Sequence, residues 1–257
     1  MHEKPNLLKR ALQRSQVQLG LWCSLASALS AEVVGGGGAD WLLIDCEHSP
    51  NELGGVVAQL QAVAQFELEP LVRVPSDDRT RIKQFLDAGA RSLMIPNVST
   101  AAQAEAVVAG MRYPPRGVRG IASRHRANGF GRYTQYAATA QEQQLLAVQI
   151  ESPEAVANAG AIVAVDGVDV VFVGPGDLAA HLGHLGKPHA EPVQRAIRQV
   201  ISAAKESNKT AGIWAADPAE ARSYVDLGFR MIAIGSDVGL LVSAADSLVR
   251  GFRVGAP

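Results

Sequence analysis

Short aliphatic segments alternate with amphipathic segments along almost the whole chain. The aliphatic segments are rich in Val, Ile, Leu and Ala, as strands covered on both faces of a parallel sheet are. The segments between them carry apolar residues at helical spacing and are bounded by residues that favour helix ends. The predicted strands are 18–23, 41–45, 70–74, 91–96, 145–151, 168–173, 211–215 and 229–234.

This strict alternation predicts a parallel sheet, and eight units predict closure into a (β/α)8 TIM barrel of the α/β class. A barrel of this kind typically takes about 250 residues, and no linker divides the 257 residues of the chain. The predicted single domain therefore covers residues 1–257, with a short helix at 5–13 before the first strand. A doubly wound open sheet is the alternative topology.

A run of four glycines at 35–38 raises the question of a phosphate-binding loop. Glycines that bind dinucleotide phosphates follow a strand and open a helix. This run follows a predicted helix and precedes a predicted strand, so it is interpreted as a helix end and a turn.

Composition and charge narrow the function classes further. The 24 Lys and Arg residues balance 25 Asp and Glu residues, so nothing favours nucleic acid or an anionic membrane surface as a partner. No apolar run reaches the roughly 18 residues of a membrane span, and residues 1–14 lack the apolar core of a signal peptide. Cys23 and Cys46 do not make a disulfide framework, so a cytoplasmic protein with reduced thiols is expected.

The strand at 145–151 ends in polar side chains. Gln149 and Glu151 point to the same face because side chains alternate along a strand, and burying a carboxylate is costly unless it is paired or binds a cation. Asp177 follows the strand at 168–173 and supplies a second carboxylate. The hypothesis is that Glu151 and Asp177 hold a metal ion and that Gln149 positions what binds to it.

Other chemistry-bearing residues also lie at the C-terminal ends of predicted strands, where TIM barrels carry their active sites. Their shared location is stronger evidence than any one of them. They are Trp22, Asp45, Glu47, His48, Arg73 and Trp214.

Each of these residues also has a plainer interpretation. Asp177 is a favoured helix cap, and Glu151 is a solvated loop carboxylate if the strand end is exposed. His48 can be an ordinary loop histidine and Arg73 a surface ion-pair residue, since both kinds of residue are common. Trp22 and Trp214 can be residues that only fill space.

The lysines and histidines discriminate between mechanisms. No lysine falls at the C-terminal end of a predicted strand, which disfavours Schiff-base chemistry. Two carboxylates with open positions suit a hard divalent ion such as Mg²⁺ or Mn²⁺. A zinc site built from His181, His184 and His189 is the competing interpretation, but sparse histidines without cysteine or carboxylate support favour a solvated loop.

Five motifs carry a family resemblance along residues 18–252. They are GLW at 20–22, DWLLIDCEH at 40–48, RYPPRGVRG at 112–120, VQIE at 148–151 and GPGDL at 174–178. In this order they resemble the HpcH/HpaI aldolase family, which includes 4-hydroxy-2-oxoheptanedioate aldolase and 2-keto-3-deoxy sugar-acid aldolases.

The resemblance implies a metal-dependent class II aldolase that cleaves 4-hydroxy-2-oxo acids to pyruvate, or a close relative such as hydroxypyruvate, and an aldehyde. It makes Glu151 and Asp177 the ligands of Mg²⁺, Mn²⁺ or Co²⁺, with Gln149 and the Gly176 backbone touching the 2-oxo acid. It implies a hexamer built as a trimer of dimers.

The same resemblance assigns three catalytic roles. His48 is the acid/base, Asp87 raises the basicity of His48, and Arg73 stabilises the enolate. From its own surroundings in the sequence, Asp87 is only an acidic residue at a helix end.

The chain also departs from the family pattern at Gly176, at Trp214 and in the loop 123–132, and the last two are expected to line the acceptor side. Two rival functions remain open at this stage: an acyl-CoA carbon–carbon lyase of the citrate or malyl-CoA type, and a barrel that binds ligands without catalysis.

Overall fold

The computed structural model describes residues 5–254, so residues 1–4 and 255–257 of the predicted domain lie outside the described part. Eight parallel strands pair in chain order, and β1 also pairs with β8, which closes the barrel. The TIM-barrel prediction is therefore confirmed, and the open-sheet alternative is wrong. The strands are β1 Gln18–Cys23, β2 Trp41–Asp45, β3 Glu69–Arg73, β4 Ser92–Ile95, β5 Leu145–Ile150, β6 Val170–Val173, β7 Thr210–Trp214 and β8 Met231–Ser236.

Helices surround the barrel between the strands, and one further helix, α1, precedes the first strand. They are α1 Leu7–Gln13, α2 Ala28–Gly35, α3 Leu53–Ala62, α4 Arg79–Ala88, α5 Ala101–Met111, α6 Tyr136–Gln143, α7 Pro153–Ala157, α8 Ala159–Val163, α9 Pro175–His181, α10 Glu191–Glu206, α11 Pro218–Leu227 and α12 Asp237–Val254. Short 3-10 turns lie at Val63–Gln65 and Arg126–Asn128.

Most predicted boundaries lie within one or two residues of the observed ones. The sixth strand begins at Val170 rather than 168, because Val168 still donates its N–H to Val165 in the preceding turn. The glycine run is a helix end, as expected: α2 ends at Gly35, Gly36 caps it, and Gly38 takes a left-handed φ of 81°.

Helix α1 closes the N-terminal end of the barrel. Its apolar residues Leu8 and Leu12 are buried against the inward-facing side chains of the strands, including Trp41 and Leu71. Asn6 caps α1 and also donates to Ser92 at 2.9 Å, which ties the helix to the start of β4. The opposite end, where the strands have their C-termini, remains available for a site.

Helix α12 differs from the other barrel helices. Every side chain from Val238 to Arg253 is exposed, although the helix contains several large apolar residues. These are Val238, Leu240, Leu241, Val242, Leu248, Val249 and Phe252.

None of the helices within residues 5–254 is both long enough and apolar enough to cross a membrane.

Candidate active site

Arg73 is the central cation at the mouth of the barrel. It ends β3, and its side chain is only 4% exposed. Its Nε and Nη2 atoms donate to the two Asp45 carboxylate oxygens at 2.9 and 2.8 Å, and Nη1 lies 2.9 Å from Glu47 Oε2. A guanidinium matches a carboxylate in this two-pronged way because both groups are planar. The surface ion-pair interpretation of Arg73 is therefore wrong.

Asp45 also shapes the turn after β2. Its Oδ1 atom accepts the backbone N–H groups of Glu47 at 3.0 Å and His48 at 3.4 Å. One buried carboxylate thus orients both Arg73 and the turn that carries Glu47 and His48. Burial raises the pKa of Glu47, and the positive charge of Arg73 opposes this shift.

Glu151 is a buried carboxylate with too little positive charge around it. It follows β5, is 2% exposed, and accepts the Asn97 backbone N–H at 2.8 Å. Burial raises its pKa to about 7, and the negative charges of Asp177 and Glu47 add to the shift. The solvated-loop interpretation of Glu151 is wrong, because the residue is buried.

Gln149 links this carboxylate to the arginine. Its Nε2 donates to Glu151 Oε2 at 3.0 Å, and its Oε1 accepts from Arg73 Nη1 at 3.4 Å. The amide therefore lies between the carboxylate and the guanidinium and contacts both at the mouth.

Asp177 lies in the first turn of α9 and is exposed. The helix is capped by Gly174, and Asp177 is not its cap, so the capping interpretation is wrong. The Asp177 charge raises the pKa of both Glu47 and Glu151, so Asp177 lies near enough to act on both carboxylates. Gly176 in the same turn is also exposed.

Carboxylate oxygens such as those of Glu151 and Asp177 are the type of donor that a divalent cation takes. Oxygen ligands from Glu and Asp are what Mg²⁺ and Mn²⁺ take, and a cation would stabilise the ionised form of Glu151 that the protein alone disfavours. The absence of a side chain at Gly174 leaves room for the Glu151 carboxylate, since a Cβ there would lie only 2.6 Å from Glu151 Oε2. Within residues 5–253, no cluster of three or more His, Cys, Asp or Glu side chains has a metal-binding arrangement, so a cation here would also need water or substrate oxygens.

His48 lies on the rim of the mouth. Its side chain is 65% exposed, and Nε2 lies 3.9 Å from Glu47 Oε2. An exposed imidazole beside a carboxylate is accessible to a ligand that enters from solvent.

Asp87 does not join the other predicted site residues in this chain. It lies in the last turn of α4, which runs from the mouth back to the opposite end of the barrel. There its Oδ1 accepts from Arg119 at 2.6 Å, and the Arg119 side chain is fully buried and stacks on Tyr113 at 4.5 Å. Within one chain, Asp87 is therefore separated from His48 by most of the length of α4, and its effect on His48 stays a prediction.

The segment 123–132 also lies away from the mouth of its own barrel. It belongs to the connection between α5 and α6, and Arg126 donates to the carbonyl of Ala88 at the end of α4 at 2.8 Å. The expectation that it lines the acceptor side is therefore wrong for a single chain, because an α-to-β connection starts at the N-terminal end of the barrel.

Two tryptophans form one wall of the mouth. The Trp22 ring lies 4.3 Å from the Arg73 guanidinium carbon, within the range of a cation–π contact. The Trp214 ring packs edge-to-face on Trp22 with centroids 5.1 Å apart. Packing against Arg73 makes Trp22 more than a space-filling residue.

The competing zinc constellation does not assemble. His181 ends α9 and contacts the backbone carbonyls of Glu151 and Asp177 at 2.9 and 3.0 Å, while His189 lies 3.4 Å from Glu220. His181 instead links α9 to the backbone just after β5, a role that sequence reasoning missed.

Asn97 is a further residue that the sequence interpretation did not single out. Asn97 has a φ of 55°, a left-handed conformation that asparagine tolerates better than most residues, and this conformation accompanies the N–H bond to Glu151. An asparagine directly after a predicted strand that ends in proline was the available signal for it.

Comparison with known proteins identifies the family of the chain. A model of the family described as HpcH/HpaI aldolase/citrate lyase matches residues 18–244. The chain is 45% identical to 5-keto-4-deoxy-D-glucarate aldolase of Klebsiella pneumoniae subsp. pneumoniae, over 97% of each chain. It is 44% identical to hydroxypyruvate/pyruvate aldolase of Pseudomonas aeruginosa, over 98% of this chain and 94% of that one.

A solved structure has the same fold. An HpcH/HpaI aldolase/citrate lyase family protein from Burkholderia cenocepacia superposes with a TM-score of 0.94 at 41% identity, over 96% of this chain and 99% of that one. The resemblance carried by the five motifs is confirmed, since the matches span nearly the whole chain. The protein belongs to the HpcH/HpaI aldolase/citrate lyase family and is a carbon–carbon lyase.

Proposed function

We propose that the protein is a metal-dependent class II aldolase that cleaves 4-hydroxy-2-oxo acids to pyruvate, or to a close relative such as hydroxypyruvate, and an aldehyde. The observation that carries the proposal is the buried Glu151 carboxylate with its pKa raised to about 7, joined through Gln149 to Arg73. The names of the relatives, which act on 5-keto-4-deoxy-D-glucarate or on hydroxypyruvate and pyruvate, support this substrate class.

Glu151 and Asp177 would hold the divalent cation, Mg²⁺ or Mn²⁺ with Co²⁺ as a further candidate. When bound, it would supply Lewis-acid polarisation of the 2-oxo acid. Gln149 and the backbone of Gly176 orient the 2-oxo acid beside the carboxylates.

Arg73 provides positive charge where negative charge develops on the keto oxygen. Its orientation is set before substrate binds, because Asp45 and Glu47 hold it from one side and Trp22 from the other. Preorganised charge of this kind stabilises a transition state without a cost of rearrangement.

His48 accepts the proton of the C4 hydroxyl during cleavage and returns it during synthesis. Its exposure on the rim, 3.9 Å from Glu47, suits a group that exchanges protons with a substrate entering from solvent. Asp87 is proposed to raise the basicity of His48. Because the two residues lie far apart within one chain, this effect would have to come from another copy of the chain.

Removal of divalent cations is expected to abolish aldol cleavage. Treatment with excess EDTA should stop pyruvate release from a 4-hydroxy-2-oxo acid, and addition of Mg²⁺ or Mn²⁺ should restore it. EDTA saturated beforehand with Mg²⁺ is the control for other effects of the chelator. Full activity in excess chelator would refute the metal-dependent mechanism.

Assays with malyl-type thioesters separate this function from an acyl-CoA lyase. The proposed aldolase should cleave free 4-hydroxy-2-oxo acids and leave the thioesters intact. Absence of pyruvate release from any 4-hydroxy-2-oxo acid would revive a purely ligand-binding role for the site.

We also infer that the protein is a homo-oligomer, with the hexamer of three dimers as the expected form. The exposed apolar residues of α12 support this inference, because a contiguous apolar surface of this kind marks an interaction site. Leu29 and Val33 on α2, which contacts α12, are exposed as well. A second copy that covers α12 would bury both surfaces. A cytoplasmic location with Cys23 and Cys46 reduced stays part of the proposal.

Leu248→Asp is expected to weaken this association at least tenfold. Burying a leucine contributes about 1.5–3 kcal/mol, and an unpaired carboxylate in its place adds a desolvation cost. The control is Arg250→Asp, because residue 250 lies about 160° away from residue 248 around the helix. Light scattering after size-exclusion chromatography should give a smaller mass for the leucine variant alone. Equal masses for both variants would place the interface elsewhere.

A further inference from the structure

The hydrogen-bond ladder between β1 and β8 is irregular just before the mouth. Gly20 pairs with Ala233, but Trp22, two positions later, pairs with Ser236, three positions later on β8. A bulge of this kind commonly changes the direction of side chains next to a functional site. The end of β1 that carries Trp22 therefore depends on more than regular backbone pairing.

Asp237 provides the additional attachment. It is the first residue of α12, directly after β8, and is 4% exposed. Its Oδ1 accepts the backbone N–H of Ser24 at 2.9 Å, and its Oδ2 accepts the backbone N–H of Leu25 at 3.2 Å and the hydroxyl of Ser30 at 2.9 Å. Donors from a different part of the barrel thus stabilise a buried carboxylate that would otherwise be costly.

The loop that Asp237 holds has an unfavourable backbone conformation. Ala26 has a φ of 51°, in the left-handed region that residues with a Cβ rarely adopt. Such a conformation persists only where surrounding contacts enforce it. The bonds from Ser24, Leu25 and Ser30 to one carboxylate are contacts of this kind.

A continuous series of contacts leads from this carboxylate to the arginine at the mouth. Asp237 holds the amide of Ser24, which lies two positions after Trp22. The Trp22 ring in turn lies 4.3 Å from the Arg73 guanidinium carbon and 5.1 Å from the Trp214 ring. Movement of the end of β1 would therefore change how the indole covers Arg73.

We propose that Asp237 is a positioning residue: its carboxylate fixes the end of β1 across the bulge, and thereby keeps the Trp22 indole against Arg73 in the orientation that cleavage requires. This inference rests on the proposed function for its effect on turnover. Asp237 acts only through Trp22 and Arg73 and touches no substrate.

The variant that tests the proposal is Asp237→Asn. The Ser236 hydroxyl, which accepts the Gly239 N–H at 3.0 Å in the first turn of α12, is unchanged in this variant, but the asparagine side chain has a single accepting oxygen. The nitrogen that replaces the other oxygen cannot accept, so either the bond from Ser24 or the bonds from Leu25 and Ser30 are lost. A displacement of about 1 Å near the chemistry costs on the order of 10²-fold, so kcat should fall by about ten- to a hundredfold, with KM and the Kd for Mn²⁺ little changed.

The near-ultraviolet circular dichroism of the two coupled indoles gives a readout that does not depend on activity. Trp214→Phe identifies the signal of the Trp22–Trp214 pair. Asp237→Asn should weaken this signal, and Ser30→Ala, which removes one donor to the same carboxylate, should weaken it less. Asp246→Asn on the exposed part of α12 should change neither the signal nor kcat.

Wild-type kcat together with a wild-type indole signal in Asp237→Asn would overturn the proposal. If that variant does not fold, an unchanged signal and kcat in Ser30→Ala would overturn it instead. The spectra are recorded without substrate, so they test the positioning of Trp22 even if the unmodified protein releases no pyruvate, an outcome that would refute only the proposed function.

Discussion

Glu151→Gln is expected to lower kcat/KM by on the order of 10³-fold, because the loss of several kcal/mol of Lewis-acid stabilisation corresponds to this factor. The substitution keeps the shape of the side chain and removes its charge. A neutral amide leaves Asp177 as the remaining carboxylate of the proposed pair. The amide NH2 of the new glutamine would also face a hydrogen-bond donor, since the two Glu151 oxygens accept from Asn97 and Gln149.

Two measurements check this expectation separately. Release of pyruvate from a 4-hydroxy-2-oxo acid gives kcat/KM, and a Mn²⁺ titration gives the metal affinity, which should fall together with activity. Glu154→Gln is the matched control, because Glu154 lies three positions later and is exposed. A Glu151→Gln variant that binds Mn²⁺ and turns over like the parent would contradict the proposed metal site.

Arg73→Ala is expected to lower kcat by on the order of 10²–10³-fold, the usual cost of removing one preorganised donor at a developing negative charge. The Kd for Mn²⁺ should change far less than kcat, because Arg73 is not a proposed ligand. The variant also leaves Asp45 buried without its partner. Breaking such a pair typically destabilises a protein by about 3–5 kcal/mol.

A second variant separates catalysis from this loss of stability. Arg73→Lys keeps the positive charge beside Asp45 but cannot reproduce the two-pronged contact, so it should fold better than Arg73→Ala and still show reduced kcat. Arg81→Ala, an exposed arginine on α4, is the control for charge removal. Thermal melts accompany the kinetics. An equal loss of kcat and of Mn²⁺ affinity in Arg73→Ala would count against its assigned role.

Local pattern was enough to predict the barrel. Buried parallel strands must be aliphatic on both faces and their helices must be amphipathic, so the eight units could be recognised without knowledge of their contacts. The same local rules placed Arg73 at the end of β3 and put Gln149 and Glu151 on one face of β5, where they lie in contact with each other.

Tertiary structure alone decided which partners these residues have. Asp87 was assigned to His48 by resemblance, yet within one chain it pairs with Arg119, which is 32 positions away. Asp237 bonds to the loop after β1, more than 200 positions earlier in the chain. Neither partner can be read from spacing, because such contacts depend on how the strands close into a barrel and on the bulge between β1 and β8.

The sequence by itself therefore determined the order of the elements, the closed barrel and the end at which polar side chains collect, because these follow from local periodicity and chain length. Only the tertiary structure decided that Asp87 pairs with Arg119 and that α12 leaves its apolar side chains uncovered. Burial and charge proximity arise from side chains that are distant along the chain, and local sequence carries no record of those distances.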